Sequence, residues 1–296
     1  MIQNLPLNAL RTFEAVAARL SFAKGAEALN VTPAAVSSQI RALEERLDQP
    51  LFHRHGRQVE LTPAGRKLLP GVQRGLSELR QAVEAVSQDR LEGVLNVTMM
   101  PSILQKWLMP RLHDFYAAHP EIDLRINVDN DLVDFDQTDM HAAVRLGGGR
   151  WPGVKALKLM DDWILPVCSR QMLKSIGPLT SPADLNDHDL MFTPTSAWDP
   201  WFREFGESGR ESRLPILNDS ISILMAAEQG EGVALSRWSL VARDIGAGRL
   251  VRPLDTIIRS DWSHYFVAPP HYFDLPKVAT FRDWLIERCA KFPSPE

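Results

Sequence analysis

Apolar residues recur at helical spacing from the start of the chain. Leu7, Leu10, Phe13, Val16 and Ala17 fall at steps of three and four, the signature of one helical face. Ser21 is placed to cap a second, short helix ending near Leu29, with Ala26 and Leu29 facing inward. Asn30 and Val31 form the turn, and Thr32-Pro33 opens a third helix. There the hydroxyl accepts from free N–H groups, and proline suits the first helical position. Residues 51–61 then read as a strand, a glycine turn and a second strand. Thr62-Pro63 repeats the helix-opening device, and beyond it Leu69, Val72, Leu76, Leu79, Val83 and Val86 alternate steps of three and four, a heptad seam. From residue 95 the pattern changes. Leu95–Met99 reads as a strand, Pro101-Ser102 opens a helix with Leu104, Leu108, Leu112 and Phe115 inward, and Leu124–Val128 and Ala142–Leu146 read as further strands. Alternating strands and helices predict an α/β unit that takes ligands at the carboxyl ends of its strands.

Two short helices joined by a tight turn predict a helix-turn-helix. In the third helix Val36, Ile40, Leu43 and Leu47 lie within about 40° of one line, while Ala34, Ser37, Ser38 and Arg41 lie opposite. Small side chains, hydroxyls and an arginine suit a helix entering a major groove, because its backbone can approach the base edges. An ordinary solvated face is the plainer alternative. Arg54 and Arg57 at the tip of the hairpin make either a DNA-binding wing or loose surface charge. The seam suits pairing with a second copy of its own helix, with packing onto the chain's own body as the alternative. Pro70, Gly71 and Gly75 predict a bend or weak turn near its start.

Composition narrows the classes. The 296 residues predict two domains, and a 45% hydrophobic, 24% charged composition excludes wholesale disorder. Arg, Asp or Glu interrupts every apolar stretch, so no membrane span is expected, and Glu14 breaks any secretory pattern in the first twenty residues. Cys168 and Cys289 lie far apart and match no metal or redox spacing; a reducing, cytoplasmic setting follows. The net charge of −4 conceals an asymmetry: residues 1–70 carry +3, and residues from 91 onward carry −7 together with all eight tryptophans. A mildly basic head is joined to an acidic body, a pointer to nucleic acid at the basic end. Catalysis finds no support. Gly147-Gly148-Gly149 lacks the Lys-Ser/Thr of a phosphate loop, there is no G-x-S-x-G or H-E-x-x-H, and the histidines offer no i, i+4 pair for a metal. No enzyme, no cofactor and no metal are expected.

Leu10-x-x-Phe13, Ser21-Phe22, Ala26-x-x-Leu29, Thr32-Pro33-Ala34-Ala35-Val36-Ser37, Gln39-Ile40, Leu43-Glu44, Leu51-Phe52 and Leu61-Thr62-Pro63-Ala64-Gly65 together resemble the winged helix-turn-helix of LysR-type transcriptional regulators. The resemblance implies that the start of the third helix reads bases and that the wing grips the DNA backbone or minor groove. It selects Thr32, Ala34, Ser37, Ser38 and Arg57, beside which Arg41 and Arg54 stand as basic candidates. Gly25 replaces a usual alanine and Asp48 a usual glycine, a residue that tolerates the left-handed helix stop. Ser38 stands where many members carry arginine, so base preference does not transfer. In the body, Leu108-x-Pro110-x-Leu112-x-x-Phe115, Arg145-x-Gly147-x-Gly149-x-Trp151-Pro152-Gly153, Pro166-Val167-Cys168-Ser169, Gly230-x-Gly232-Val233-Ala234-Leu235 and Gly248-Arg249-Leu250-Val251-x-Pro253 resemble the family branch that contains the glycine-cleavage and β-lactamase-induction regulators.

The implied architecture is an N-terminal all-α winged helix-turn-helix over residues 1–62, a long linker and dimerisation helix over 63–90, and a C-terminal α/β effector-binding domain over 91–296. That last domain resembles a periplasmic solute-binding protein, with subdomain I at 93–166 plus 267–292 and subdomain II at 167–266 hinged around a cleft. Branch members contact effector at positions matching Ser102, Ser222 and Tyr265; Ser220 is a near neighbour, and Arg145 leaves its strand towards the same cleft. Ser102 at a strand-to-helix junction suits an anion, or caps its helix. Arg145 binds effector, or pairs with Asp139 or Asp219. Trp198 and Trp201 line the entrance, or belong to the core. The expected function is a sequence-specific DNA-binding regulator, dimeric or tetrameric, controlled by a small polar effector such as an amino acid or carboxylate. Its partners are a double-stranded operator and RNA polymerase. The alternative is a constitutive DNA-binding protein with a ligand-free oligomerisation domain.

Overall fold

The structure, a computed structural model, describes residues 5–55, 58–86, 91–177, 179–193, 197–208 and 218–295. The chain divides into two compact units, residues 1–88 with 134–139 and residues 89–133 with 140–296.

The first unit is built from α1 (Leu7–Ala17), α2 (Phe22–Ala28), α3 (Pro33–Leu47), the strands β1 (Phe52–His55) and β2 (Gln58–Leu61), and α4 (Pro63–Val86). Its local signals behave as the residues dictate. Ser21 Oγ accepts from Lys24 N, Thr32 Oγ1 accepts from Ala35 N, and Pro33 takes the first turn of α3. Asn30 and Asp48 both adopt left-handed backbone, with φ of 54° and 50°, which turns the chain between α2 and α3 and stops α3. Gly25 has a steric cause: a Cβ there would stand 2.8 Å from Val16 Cγ2 and 3.2 Å from Val16 Cα, so its absence lets α2 lie close on α1. Phe13, Val16, Val36, Ile40 and Leu43 are buried, and Phe52 brings the hairpin into the same core against Phe13 and Phe22. Leu47 is exposed, contrary to its place on the apolar line, because α3 runs a turn past the core.

The seam on α4 splits in two. Val72 is buried in the core of the first unit, and Leu69 and Leu76 pack against it. Leu79 and Val83, 47% and 69% exposed, stay outside. The plainer alternative, packing on its own chain, therefore accounts for the first half of the stripe only. The helix runs unbroken through Pro70.

The second unit holds two five-stranded sheets. β3 (Gly93–Met99), β4 (Ile122–Val128), β5 (Ala142–Gly147), β6 (Lys155–Met160) and β12 (Ser263–Ala268) form the first, in the order β4-β3-β5-β12-β6. β3 pairs parallel with β4 and β5; β12 is antiparallel to β5 and β6. The second sheet orders β10 (Leu250–Val251), β7 (Trp163–Ser169), β9 (Val233–Arg237) and β8 (Leu190–Met191), with β11 (Ile258–Arg259) also on β7. Helical turns at Pro101–Ile103 (α5), Leu104–Leu108, Met109–Arg111 and Leu112–Ala118 (α6) follow β3 without a break, the second of them wound as π-helix. The remaining helices are α7 (Arg170–Ile176), α8 (Trp198–Glu204), α9 (Ser220–Gln229), α10 (Trp238–Gly246) and α11 (Pro276–Ala290).

Among the described residues the chain passes between the sheets at 161–162 and at 260–262. This corrects the expected subdomain limits. Residues 163–166 already belong to β7 of the second sheet, and 263–266 to β12 of the first. Apolar runs buried on both faces carry no mark of which sheet they join. Trp198 and Trp201 are core residues, packed edge to face at 5.4 Å, with Trp198 Nε1 donating to the Met191 carbonyl. No helix among the described residues is long and apolar enough to cross a membrane.

Candidate functional site

On the first unit, Thr32, Ala34, Ser38 and Arg41 are exposed along the outer side of α3, and Ser37 is half-buried beside them. The inner side is held by Val36, Ile40 and Leu43, and by Gln39, whose Oε1 accepts from the Thr12 hydroxyl on α1. The face that offers small side chains, hydroxyls and a cation is thus kept outward by the packing of the opposite one. β1 and β2 pair from Phe52↔Leu61 to His55↔Gln58, the hairpin expected of a wing. Arg57 and the side chain of Arg54 lie outside the described residues.

On the second unit a cleft of about 250 Å³ lies between the ends of the two sheets. Met100, Ser102, Asn130, Leu146 and His264 line it from the first; Thr193, Asp219, Ser220, Arg237 and Leu240 line it from the second. Ser102 is 9% exposed in the turn opened by Pro101, where β3 delivers the chain. Ser220 opens α9, whose cap is Asp219: its carboxylate accepts from Ile221 N at 3.2 Å, Ser222 N at 3.0 Å and Ser222 Oγ at 2.5 Å. Burial pushes the Asp219 carboxyl up, but these donors outweigh it and hold the group below its usual range.

Of the five expected effector contacts, the structure brings Ser102 and Ser220 to the cleft and places three elsewhere. Ser222 turns its hydroxyl back onto Asp219 and is exposed. Arg145 is buried and ties down the segment after β4, donating to the carbonyls of Asp129 and Asp131 at 2.9 Å and to Thr98 Oγ1 at 3.2 Å. Burial draws its guanidinium below the usual value, against the nearby Asp129 and Asp131 charges. These partners are two backbone carbonyls and a hydroxyl, not the carboxylates of Asp139 or Asp219. Tyr265 packs on Trp151 with ring centroids 5.5 Å apart and over Gly149, where a Cβ would stand 2.7 Å from its ring. Strand register explains both displacements. Arg145 pairs with Tyr265 and Leu146 with His264, and alternate residues of a strand face opposite ways, so the second pair lines the cleft and the first does not.

The sequence reading missed His264 and Arg237. His264, 1% exposed, places Nε2 at 2.9 Å from Asp162 Oδ2 and 3.2 Å from Ser239 Oγ. Asp162 lies fully buried in the first crossover. It accepts Trp163 N and Ser239 N on Oδ1, each at 3.0 Å, and Ser239 Oγ on Oδ2 at 2.7 Å. Burial pushes its carboxyl up, and the bonds from His264 and Ser239 more than reverse that. Arg237 ends β9, 4% exposed, and donates from Nη1 to Ser260 Oγ in the second crossover at 2.8 Å; burial lowers its guanidinium and Asp162 opposes the shift. A charged residue closing a short apolar strand, Val233–Arg237, is the only signal that the sequence held for it. Nearby, Lys106 reaches from the π-helical turn to Asp244 of α10 at 2.8 Å, so the helical run that begins at Pro101 and carries Ser102 is also fastened to the other sheet's helices. Among the described residues no group of three or more His, Cys, Asp or Glu is arranged to hold a metal.

Known proteins resemble this chain over nearly all of its length. Residues 7–66 match the family described as bacterial regulatory helix-turn-helix protein, lysR family, and residues 88–290 match the LysR substrate binding domain. The glycine cleavage system transcriptional activator of Escherichia coli (strain K12) is 37% identical over 287 residues, 96% of this chain and 94% of that protein. The HTH-type transcriptional activator AmpR of Pseudomonas aeruginosa is 37% identical over 290 residues, 97% of each chain. The solved effector domain of that AmpR superposes with a TM-score of 0.60 at 33% identity, over 67% of this chain and 96% of the other.

Proposed function

Because the chain belongs to the LysR family of DNA-binding transcription regulators with an effector-binding domain, we propose that it is a regulator whose grip on its operator is set by a small polar effector in the cleft of the second unit. The observation that carries this reading is the cleft itself: a cavity of about 250 Å³ at the strand ends, walled from both sheets by Ser102, Ser220 and Arg237. An amino acid or other small carboxylate suits such walls, since hydroxyls and a guanidinium are hydrogen-bond donors to an anionic oxygen.

In this reading Thr32, Ala34, Ser37 and Ser38 meet base edges, while Arg41, Arg54 and Arg57 meet phosphates or the minor groove. The exposed part of the α4 seam, Leu79 and Val83, joins two copies, as a dimer or within a tetramer, so that paired heads meet paired half-sites. The names of the relatives, activators of transcription, support RNA polymerase as the further partner, and a cytoplasmic location goes with that role. The relatives are regulators, not enzymes.

The test is a thermal-shift screen of the full-length protein against anionic, neutral and cationic metabolites, followed by operator-binding assays with each stabilising compound. A ligand that binds only the native state raises its stability as concentration rises. The expected result is a compound that raises the melting temperature and changes operator affinity. If no compound does both, the cleft is part of a ligand-free oligomerisation platform.

A further inference from the structure

The charged groups described at the cleft favour an anionic ligand over a cationic one. Among the described residues that line it the one acid is Asp219, and Asp162 lies beneath, against His264. All four of their oxygens are committed to named donors. Asp162 accepts two bonds on each oxygen, from Trp163 N and Ser239 N, and from Ser239 Oγ and His264 Nε2. Asp219 accepts one from Ile221 N and two from the amide and hydroxyl of Ser222. Three of the four oxygens thus accept two bonds each and have little left to offer an incoming ammonium, and Asp219 Oδ1 accepts one.

Among the described residues Arg237 is the guanidinium of this wall. It is 4% exposed, it reaches the cleft from the end of β9, and Ser260 Oγ holds Nη1 at 2.8 Å. Ser260 in turn donates its backbone N–H to the Asp162 carbonyl at 3.0 Å, so the two crossovers between the sheets are bonded to each other at the point from which Arg237 is aimed. The hydroxyls of Ser102 and Ser220 complete the donor set from the two sides. Arginine meets a carboxylate with two parallel N–H groups, and charge-assisted bonds of that kind are roughly twice as strong as neutral ones.

Resting on the effector reading above, we infer that Arg237 is the specificity-determining residue of the cleft: it selects a small carboxylate over the matching amide, and through Ser260 it passes the arrival of that charge to both crossovers. The anion draws on the guanidinium, the guanidinium is bonded to one crossover, and that crossover is bonded to the other. Ligand charge and the angle between the sheets are thereby joined in one set of contacts.

The experiment uses the full-length protein and sodium acetate, pyruvate, succinate, alanine and glutamate, each beside its primary amide, in thermal-shift and calorimetric titrations. At least one acid is expected to bind wild type with its amide about tenfold weaker or worse. Arg237→Gln should weaken that acid by about tenfold or more and leave its amide nearly unmoved, a selectivity collapse that loss of packing alone does not produce. Arg237→Lys, which keeps the charge without the fork, should fall between the two. If Arg237→Gln does not fold, Ser260→Ala keeps the cation, removes the oxygen that aims it, and should weaken the acid severalfold. Equal binding of acid and amide by wild type, an undiminished acid affinity in the variants, or no binding of any acid would each overturn the inference. A neutral or cationic ligand emerging from the wider screen would leave the effector reading standing while sinking this one.

Discussion

His264 Nε2 stands 2.9 Å from Asp162 Oδ2, a bond between the first strand residues of β12 and the segment that hands the chain from the first sheet to the second. Both side chains are buried, so removing either charge or donor leaves a polar partner with no water to turn to. Asp162→Asn replaces a carboxylate that meets four donors with an amide whose nitrogen cannot accept, and should cost about 3 kcal/mol, roughly 6–12 °C in the thermal transition of a unit of this size. The pH dependence follows from the direction of the shift. The folded carboxyl is held below its usual value, so its contribution is complete above the unfolded value near pH 4 and is lost as pH falls through the lower folded value. Melting curves should therefore show a constant gap between wild type and variant at neutral pH that narrows only below about pH 4. A gap that closes between pH 5 and 8 would assign the effect to another group.

The divided seam of α4 separates folding from association. Val72→Ala truncates a side chain in the core of the first unit and should lower its stability by about 1–2 kcal/mol. Leu79→Asp with Val83→Asp alters two exposed residues and should leave melting almost unchanged while sedimentation shows a smaller assembly. Unchanged mass would remove these residues from any contact between copies.

The outer side of α3 and the hairpin are expected to divide the labour of DNA binding. Arg57→Ala should weaken affinity across most sequences and flatten its salt dependence, the behaviour of a phosphate contact. Ser37→Ala and Ser38→Ala should alter discrimination among operator variants by about 1 kcal/mol per changed contact. Binding curves over a set of single-base operator variants decide the matter. A uniform loss from the serine variants would move base reading elsewhere.

Ser102 is a smaller but direct test of the cleft. Its hydroxyl lines the cavity, whereas the first amides of its helical turn are not capped by it, since Met100 holds the cap position. Ser102→Ala should weaken a bound carboxylate by about 1.5–3 kcal/mol, a tenfold to hundredfold higher response threshold. Calorimetry with the acid that stabilises wild type checks it. Equal affinities would leave Ser102 with a packing role alone.

What the sequence determined by itself was whatever depends on near neighbours. The faces of α1 and α3, the caps at Ser21 and Thr32, the left-handed stop at Asp48 and the pairing of β1 with β2 all follow from spacings of a few residues, where backbone geometry leaves few choices. The resemblance to a known family carried the architecture and the place of the cleft, with Ser102 at its edge. The tertiary structure decided what depends on phase and on distant partners. β5 and β12 are buried on both faces, so no alternation of polar and apolar residues marks which side meets the cleft, and a shift of one residue exchanges His264 for Tyr265 and Leu146 for Arg145. The same ambiguity hid that β7 begins four residues before the expected boundary, at Trp163. Arg237, Asp162, Ser239 and Ser260 are scattered over some hundred residues of chain, and only the two crossovers bring them together. A buried charge costs too much to stand without partners, and those partners are chosen by the fold, not by sequence neighbours.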